Sequence, residues 1–280
     1  MKSFENKVAA ITGAGSGMGR TLALGLARRR CHLALSDINS EGLAETAAQA
    51  SAFGVKVTQL RLDVSQRAQV FAWADQVVRD HQRCHLIINN AGVSLSATVA
   101  SVRPEDFEWI VGINFWGVVH GTQAFLPLLK ASGEGHVVNL SSLFGLISVP
   151  GQGMYNATKF AVRGYTEALR QELELSGVNV SATCVHPGGI KTNIMRASRM
   201  DASMAELGVT DPAQSRQSIE GLFRVTAEDA AEAILKGVQR NARRVLIGSD
   251  ARAMDLVQRW MPGGYQRLVV WLTRRQLGRR

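Results

Sequence analysis

Tyr155 and Lys159 stand four residues apart in Met154-Tyr155-Asn156-Ala157-Thr158-Lys159. On a helix that interval stacks both side chains on one face, so an ammonium can lie beside a phenol. A nearby cation favours phenolate, drawing the phenol down from about 10 toward the range where it trades protons at neutral pH. Tyr155 is therefore a candidate general acid/base. Thirteen residues earlier, Ser142 follows the apolar run 136–140 and is placed to aim a hydroxyl at a substrate oxygen. A tyrosine and a lysine at this interval are also common on solvated helix faces, so the surrounding elements must decide.

The chain frames these residues in alternating runs. Residues 7–12 (KVAAIT) form a short apolar run that stops at glycines, as a buried parallel strand does. Gly13-Ala14-Gly15-Ser16-Gly17-Met18-Gly19 follows, then a helical pattern with Leu22, Leu24 and Leu26 ending in Arg28-Arg29-Arg30, where basic charge suits the negative end of a helix dipole. The next strand, 32–36, ends at Asp37, eighteen residues after Gly19. A glycine turn in this setting holds a pyrophosphate through a tight turn, close backbone approach and free amides at a helix N-terminus. Glycines recur here at Gly13, Gly17 and Gly19, with Met18 where a Gly-x-Gly-x-x-Gly begun at Gly13 would end. Asp37 suits an adenosine ribose diol and repels a 2′-phosphate, and Ser16, Ile38 and Asn39 bring no cation to offset it. NAD is favoured over NADP, while Arg20 keeps NADP open.

A second unit repeats the grammar with a helix at 41–53, a strand at 55–62 and Asp63-Val64 at its end. Asp63 either caps the following helix, 66–81, or accepts from an adenine amino group. Strand 85–88 runs into Asn89-Asn90-Ala91-Gly92, a ligand-facing turn at a carboxyl end. A long apolar helix is expected over 104–130, opened by Pro104, Glu105 and Asp106 and interrupted by Gly112, Gly117, Gly121 and Pro127. Asn114 inside it needs partners. Either a local kink turns it inward or it bonds neighbouring backbone. Helix 153–176 carries Tyr155 and Lys159, and its Ala157, Ala161, Gly164 and Ala168 permit close approach of a second subunit. Strand 178–185 ends at Pro187-Gly188-Gly189-Ile190-Lys191-Thr192, and helix 227–241 and strand 244–247 complete the pattern. Seven strands alternating with helices imply an α/β fold, a doubly wound parallel sheet with helices on both faces in a single domain.

Composition removes several function classes. A 280-residue chain with 46% hydrophobic and 20% charged residues is an ordinary globular composition. Cys31, Cys84 and Cys184 have neither disulfide-framework nor metal-ligand spacing, so no metal is expected. A strand signal by Val8 without a charged leader, and no apolar run of 18 residues, point to a cytoplasmic protein. The net charge is +9, but 251–280 alone holds seven arginines and one aspartate, leaving +3 for the first 250 residues. Nucleic acid is therefore not the expected partner.

In order and interval, Thr12-Gly-Ala-Gly-Ser-Gly-Met-Gly19, Asn89-Asn-Ala-Gly92, Asn114, Ser142, Tyr155-Asn-Ala-Thr-Lys159 and Pro187-Gly188 are those of one family. Over roughly residues 5 to 250 the chain resembles the short-chain dehydrogenases/reductases. The resemblance implies a Rossmann-like fold and a homodimer or homotetramer. It places Gly13, Ser16, Gly17, Met18 and Gly19 at the pyrophosphate, Asp37 at the adenosine ribose, and Asp63 and Val64 at the adenine. Asn90, Ala91 and Gly92 would line the cofactor side of the central strand. Tyr155 would move the proton, with Lys159 holding the nicotinamide ribose and depressing the tyrosine's pKa. Ser142, rather than Ser141, would orient the substrate, and Asn114 would anchor a water of the proton relay. Pro187, Gly188, Ile190 and Thr192 would meet the nicotinamide end, with Thr192 gripping the carboxamide. Independently of the family, hydride transfer needs a carbinol carbon held against a nicotinamide and one group to move the hydroxyl proton.

The expected substrate is a small alcohol or ketone. The segment after Pro187-Gly188 carries Ile194, Met195, Met200, Met204, Leu207, Leu222 and Phe223, and Leu143, Phe144, Leu146, Val149 and Met154 would form the opposite wall. An apolar secondary alcohol such as a steroid, retinoid or fatty alcohol follows from that lining; the alternative is that these side chains only dock a lid. Rival activities are NADPH-dependent reduction of an acyl thioester or polar ketone, and non-catalytic dinucleotide sensing. Residues 251–280 form a basic extension beyond the 1–250 catalytic domain, with amphipathic patterns around 254–260 and 265–272. Three readings stay open for it: contact with an anionic membrane surface, folding back over the substrate mouth or a neighbouring subunit, and a solvated tail.

Overall fold

A computed structural model of the chain describes residues 1–192, 198–209, 211, 213–214, 217, 221 and 223–276. Its centre is a seven-stranded parallel sheet built from β1 (Val8–Thr12), β2 (His32–Asp37), β3 (Val57–Arg61), β4 (Leu86–Asn89), β6 (Gly135–Leu140), β7 (Val180–Pro187) and β9 (Arg244–Ile247), in the order β3-β2-β1-β4-β6-β7-β9. The inner strands are mostly apolar and buried throughout because both faces are covered: every residue of β1, β4 and β6 is buried. Alternate side chains feed separate cores. Ala9, Ile11, Leu86 and Ile88 pack with Leu22, Leu26, Ile234 and Leu235 of helices α1 (Gly17–Ala27) and α7 (Ala227–Gln239). Ala10, Ile87 and Val137 pack on the other side with Trp73, Phe125 and Leu173 of α3 (Arg67–His81), α5 (Gly117–Ala131) and α6 (Gly153–Leu175). Helix α2 (Ser40–Ser51) covers the sheet near β2 and β3.

The chain winds outward through β1, β2 and β3, then returns to β4 on the other side of β1. That reversal leaves a crevice at the carboxyl ends of β1 and β4, where open parallel sheets bind ligands.

The long helix expected over 104–130 is broken. Helix α4 (Pro104–Val111) gives way to a wide π turn, Gly112–Trp116, before α5 resumes the path. The extra residue per turn lets the buried Asn114 face inward, as the kink reading anticipated. A small parallel ribbon, β5 (Leu95–Ser96) with β8 (Arg199–Met200), ties the segment after β7 to the body and was not foreseen. The two amphipathic tail patterns form longer helices, α8 (Ser249–Trp260) and α9 (Tyr265–Gln276).

Candidate active site

At the first turn, Gly13 and Gly17 have φ of +66° and +50°, backbone that side chains rarely adopt. A Cβ on Gly13 would lie 2.8 Å from Ala91 Cα, and one on Gly19 would collide with the Gly13 carbonyl. Asp37 closes the turn from β2: Oδ2 accepts from the Gly15 amide (2.8 Å) and Oδ1 from that of Asn39 (2.9 Å). Asn90 closes it from β4, its Nδ2 donating to the Thr12 and Gly13 carbonyls at 3.0 Å. Thr12 Oγ1 accepts from the Asn90 and Ala91 amides (3.0 and 3.1 Å), a clamp whose hydroxyl character the sequence reading did not use.

Arg20 is engaged within the fold through its Nε and Nη2. Its guanidinium donates to the Gly15 and Gly42 carbonyls, Glu45 and Thr46, fastening α1 to α2. Asp63 accepts from the Ser65 amide and hydroxyl (2.9 and 2.8 Å), while Gln66 occupies the cap position of α3. Its carboxylate thus braces the turn ahead of that helix. Val64 is buried beneath Gly117, whose added Cβ would come within 2.8 Å of it. At the far end Thr192 lies against Gly17, with 3.4 Å between its Cβ and a Cβ placed there. The Pro187-Gly188-Gly189 turn is held by Asp250, which accepts from the Gly189 amide at 2.7 Å and lies where a Gly188 side chain would be. Ile190 is buried and bridges to Val225. Asp250 has no motif to announce it, since only folding brings it 61 positions back to that turn.

Ser142, Tyr155 and Lys159 come together where β6 ends and α6 begins. The Phe144 amide donates to Ser142 Oγ (3.1 Å), leaving the hydroxyl proton free to serve Tyr155. Burial is the larger effect on Tyr155 and holds the phenol above its ordinary value, while the Ser142 hydroxyl acts to lower it. Lys159 Nζ sits 5.5 Å from the Tyr155 ring centroid and donates to the Leu140 carbonyl (3.0 Å). Burial pushes this amine down to about 8. In the chain alone, therefore, the tyrosine is not more acidic than an ordinary phenol, because it is out of water and desolvation disfavours its charged form. The ambiguity between neighbouring serines has a geometric answer. Ser141 is buried with its hydroxyl on the Lys159 carbonyl (2.8 Å), and Ser142 carries the contact to Tyr155.

Asn114 exchanges bonds with the backbone of Val93, accepting at 2.8 Å and donating at 2.9 Å, and reaches Thr158 Oγ1 at 3.3 Å. A Cβ on Gly92 would stand 3.3 Å from Asn114 Oδ1 and 3.5 Å from Lys159 Nζ, so the glycine keeps amide and amine within reach of one small space. Behind them Asn89 Nδ2 donates to Asn139 Oδ1 (2.8 Å) and Thr122 (3.1 Å), and Asn139 donates to Thr166 (3.0 Å). This buried chain cross-links β4, β6, α5 and α6, and sequence spacing gives no sign of it.

Of the five expected wall residues, Phe144 stacks edge-on against Tyr155 with centroids 6.1 Å apart, while Leu146 and Met154 are buried. Leu143, Phe144 and Val149 also pack on Ile147, Tyr265 and Val269, so α9 folds back over the loop that follows Ser142. Tyr265 Oη accepts from the Ser148 amide at 3.3 Å. Met204 and Leu207 rest on Gly151 and Phe223 on Gly189; Ile194, Met195 and Leu222 lie outside the described residues. A hollow of about 410 Å³ borders this region, lined among others by Val99, Val149, Pro150, Asn156, Ala157 and Phe160. It runs along the other side of α6, and neither Ser142 nor Tyr155 lines it.

The profile of the short chain dehydrogenase family matches residues 7–203. The chain belongs to the short-chain dehydrogenase/reductase family. It is an oxidoreductase with that family's NAD(P)-binding Rossmann fold. Among this short-chain dehydrogenase's relatives, a putative oxidoreductase SadH of Mycobacterium tuberculosis is 50% identical over 269 residues, covering 96% of each chain. A C alpha-dehydrogenase of Sphingobium is 34% identical over 253 residues, covering 88% of this chain and 82% of that protein. The crystal structure of a Burkholderia phymatum short-chain dehydrogenase/reductase in complex with NAD superposes with a TM-score of 0.87 at 30% identity, covering 95% of this chain and 97% of that one. No helix among the described residues is long and apolar enough to cross a membrane.

Proposed function

We propose that this short-chain dehydrogenase moves hydride between NAD(H) and an apolar secondary alcohol or its ketone, with Tyr155 as general acid/base. The observation that carries the reading is the buried Lys159 amine 5.5 Å from the Tyr155 ring, with Ser142 at the end of β6, at the sheet edge that also holds the glycine turn. The residues present fit a dinucleotide. Gly13, Gly17 and Gly19 leave the backbone open to a pyrophosphate, Asp37 stands at the end of β2 for a ribose diol, and Thr192 borders Gly17 for the amide end. When bound, the nicotinamide supplies the hydride acceptor or donor.

The chain's own part is positioning and proton movement. Ser142 orients the substrate oxygen and stabilises its developing charge. Tyr155 takes or gives the hydroxyl proton. Lys159, one of its three N–H groups on Leu140, keeps donors for a ribose and for a path toward Asn114. A positive charge arriving near the phenol would offset the burial that holds its proton. Asp37, together with the engagement of Arg20 Nε and Nη2 between α1 and α2, supports NAD over NADP. The apolar cluster of Leu143, Phe144 and Val149 beside Tyr155 supports an apolar substrate, and the exposed stripe of Ala157, Phe160, Gly164 and Ala168 supports a homo-oligomer packed through α6.

Dinucleotide absorbance with a panel of secondary alcohols and ketones tests the reading. Turnover with NAD on apolar members supports it. Binding without turnover would make the chain a sensor, and tighter binding of NADPH than NADH would replace it with the reductase reading.

A further inference from the structure

The inner faces of α8 and α9 are accounted for by the body, and their outer faces are not. Ala251 and Asp255 point inward from α8, and Tyr265 and Val269 from α9. With 3.6 residues per turn, Arg252, Leu256, Arg259 and Trp260 share the opposite side of α8. On α9 the outward side holds Arg267, Val270, Trp271, Arg274 and Arg275. Fourteen large hydrophobic side chains are exposed among the described residues, and six of them, Leu256, Trp260, Met261, Val270, Trp271 and Leu272, fall in this short stretch. Trp260 is 83% exposed and Trp271 53%, against an ordinary tendency of such rings to be covered.

Charge decides what covers this face. The two helices carry two carboxylates, and both are engaged by the body: Asp250 accepts from the Gly189 amide (2.7 Å), and Asp255 is 5% exposed and paired with Arg244 (3.1 Å) and Arg259 (3.0 Å). Arg267 and Arg274 form no ion pair with a described residue, and Arg275 lies over the Trp271 ring, 5.6 Å from its centroid. The surface is cationic with no acid to complement a second copy of itself, and interleaves tryptophans with arginines. Tryptophan settles at the boundary between headgroups and acyl chains, while arginine keeps its charge among the headgroups. Neither helix is long enough or apolar enough to insert across a bilayer.

We propose that the outer faces of α8 and α9 form a docking surface for an anionic lipid bilayer, on which the protein lies peripherally. The loop after Ser142 packs under the same α9, so docking brings the substrate mouth near the lipid surface.

The test uses the full chain with vesicles of phosphatidylcholine alone and of phosphatidylcholine with phosphatidylglycerol. Co-sedimentation is expected only with the second, weakening as salt shortens the screening length. Arg267→Glu with Arg274→Glu should lower the partition coefficient by about 25-fold or more, at about five-fold for each cation lost. Trp260→Ser with Trp271→Ser should abolish the blue shift of tryptophan emission on binding. Both pairs are surface changes, so unfolding midpoint and dinucleotide affinity should stay at the parent values; variants failing that control are replaced by Arg267→Gln and Trp260→Gln read the same way. Equal partition onto neutral and anionic vesicles, or partition unchanged by the arginine pair, overturns the proposal. So does loss of self-association in the variants without any vesicle binding by the parent, which would assign the face to a contact between copies.

Discussion

Ser141 and Ser142 differ in what their hydroxyls touch, so they should fail differently. Ser142→Ala removes the group beside Tyr155 and should lower kcat by about 10²–10³ with little change in stability. Ser141→Ala loses the bond to the Lys159 carbonyl (2.8 Å) and should cost about 1 kcal/mol in denaturant unfolding while kcat stays within a few-fold. Equal kinetic losses in both would refute the assignment. Tyr155→Phe should lower kcat by about 10²–10⁴ with the dinucleotide affinity retained, measured by turnover and by titration of NADH fluorescence. A parent-like rate would end the mechanism. That Tyr155, Lys159 and Ser142 come together was legible because a four-residue helical interval and a strand end fix geometry locally. The sign of the electrostatics was not. Spacing reports that a cation is near a phenol, but the competing desolvation comes from Phe144, Leu95 and Ile110, brought there only by folding.

At the level of elements, the alternation of apolar runs and glycine turns announced the sheet, since a strand buried on both faces leaves a continuous apolar signature. Boundaries moved by one or two residues, and the helix over 104–130 yielded to the π turn because Asn114 had to face Val93. The β5–β8 ribbon was not legible: two-residue pairings across a long chain separation carry no periodicity. Arg20 was read as a residue that keeps a 2′-phosphate in play, yet it bonds Gly15, Gly42, Glu45 and Thr46. Arg20→Leu should therefore cost about 1–3 kcal/mol of stability with the NAD/NADP preference unchanged, whereas Asp37→Ala should erode that preference. A shift in preference on losing Arg20 alone would contradict this. Gly121 packs so tightly on Asn89 that a Cβ would overlap its Oδ1. Gly121→Ala should destabilise by about 1–3 kcal/mol and, by displacing the Asn89–Asn139 chain, impair turnover as well. Urea unfolding and kcat measured together would check both.

For the molecule as a whole, four histidines set the acid limb of stability. Burial pushes His81, His85 and His186 down to about 4 and His136 to about 3, all below the ordinary value of 6.5. Below about pH 6.5 the unfolded chain takes up protons that the folded one refuses, so stability is full above that value and falls as pH drops toward 4. The urea midpoint should decline steadily between pH 7 and pH 4.5; a flat profile would mean these rings are protonated in the fold. The lowered carboxylates of Asp106 and Glu134 act at still lower pH. The contact of Ser148 with Tyr265 spans 117 positions, and that separation has a meaning during synthesis. At about 5–20 residues per second, a ribosome takes roughly 6–24 s to deliver the tyrosine after the serine has been made. Throughout that interval Ile147 and its apolar neighbours lack their cover, so the nascent chain should offer a site for chaperones or proteases within 143–149 that vanishes once Val269 has emerged.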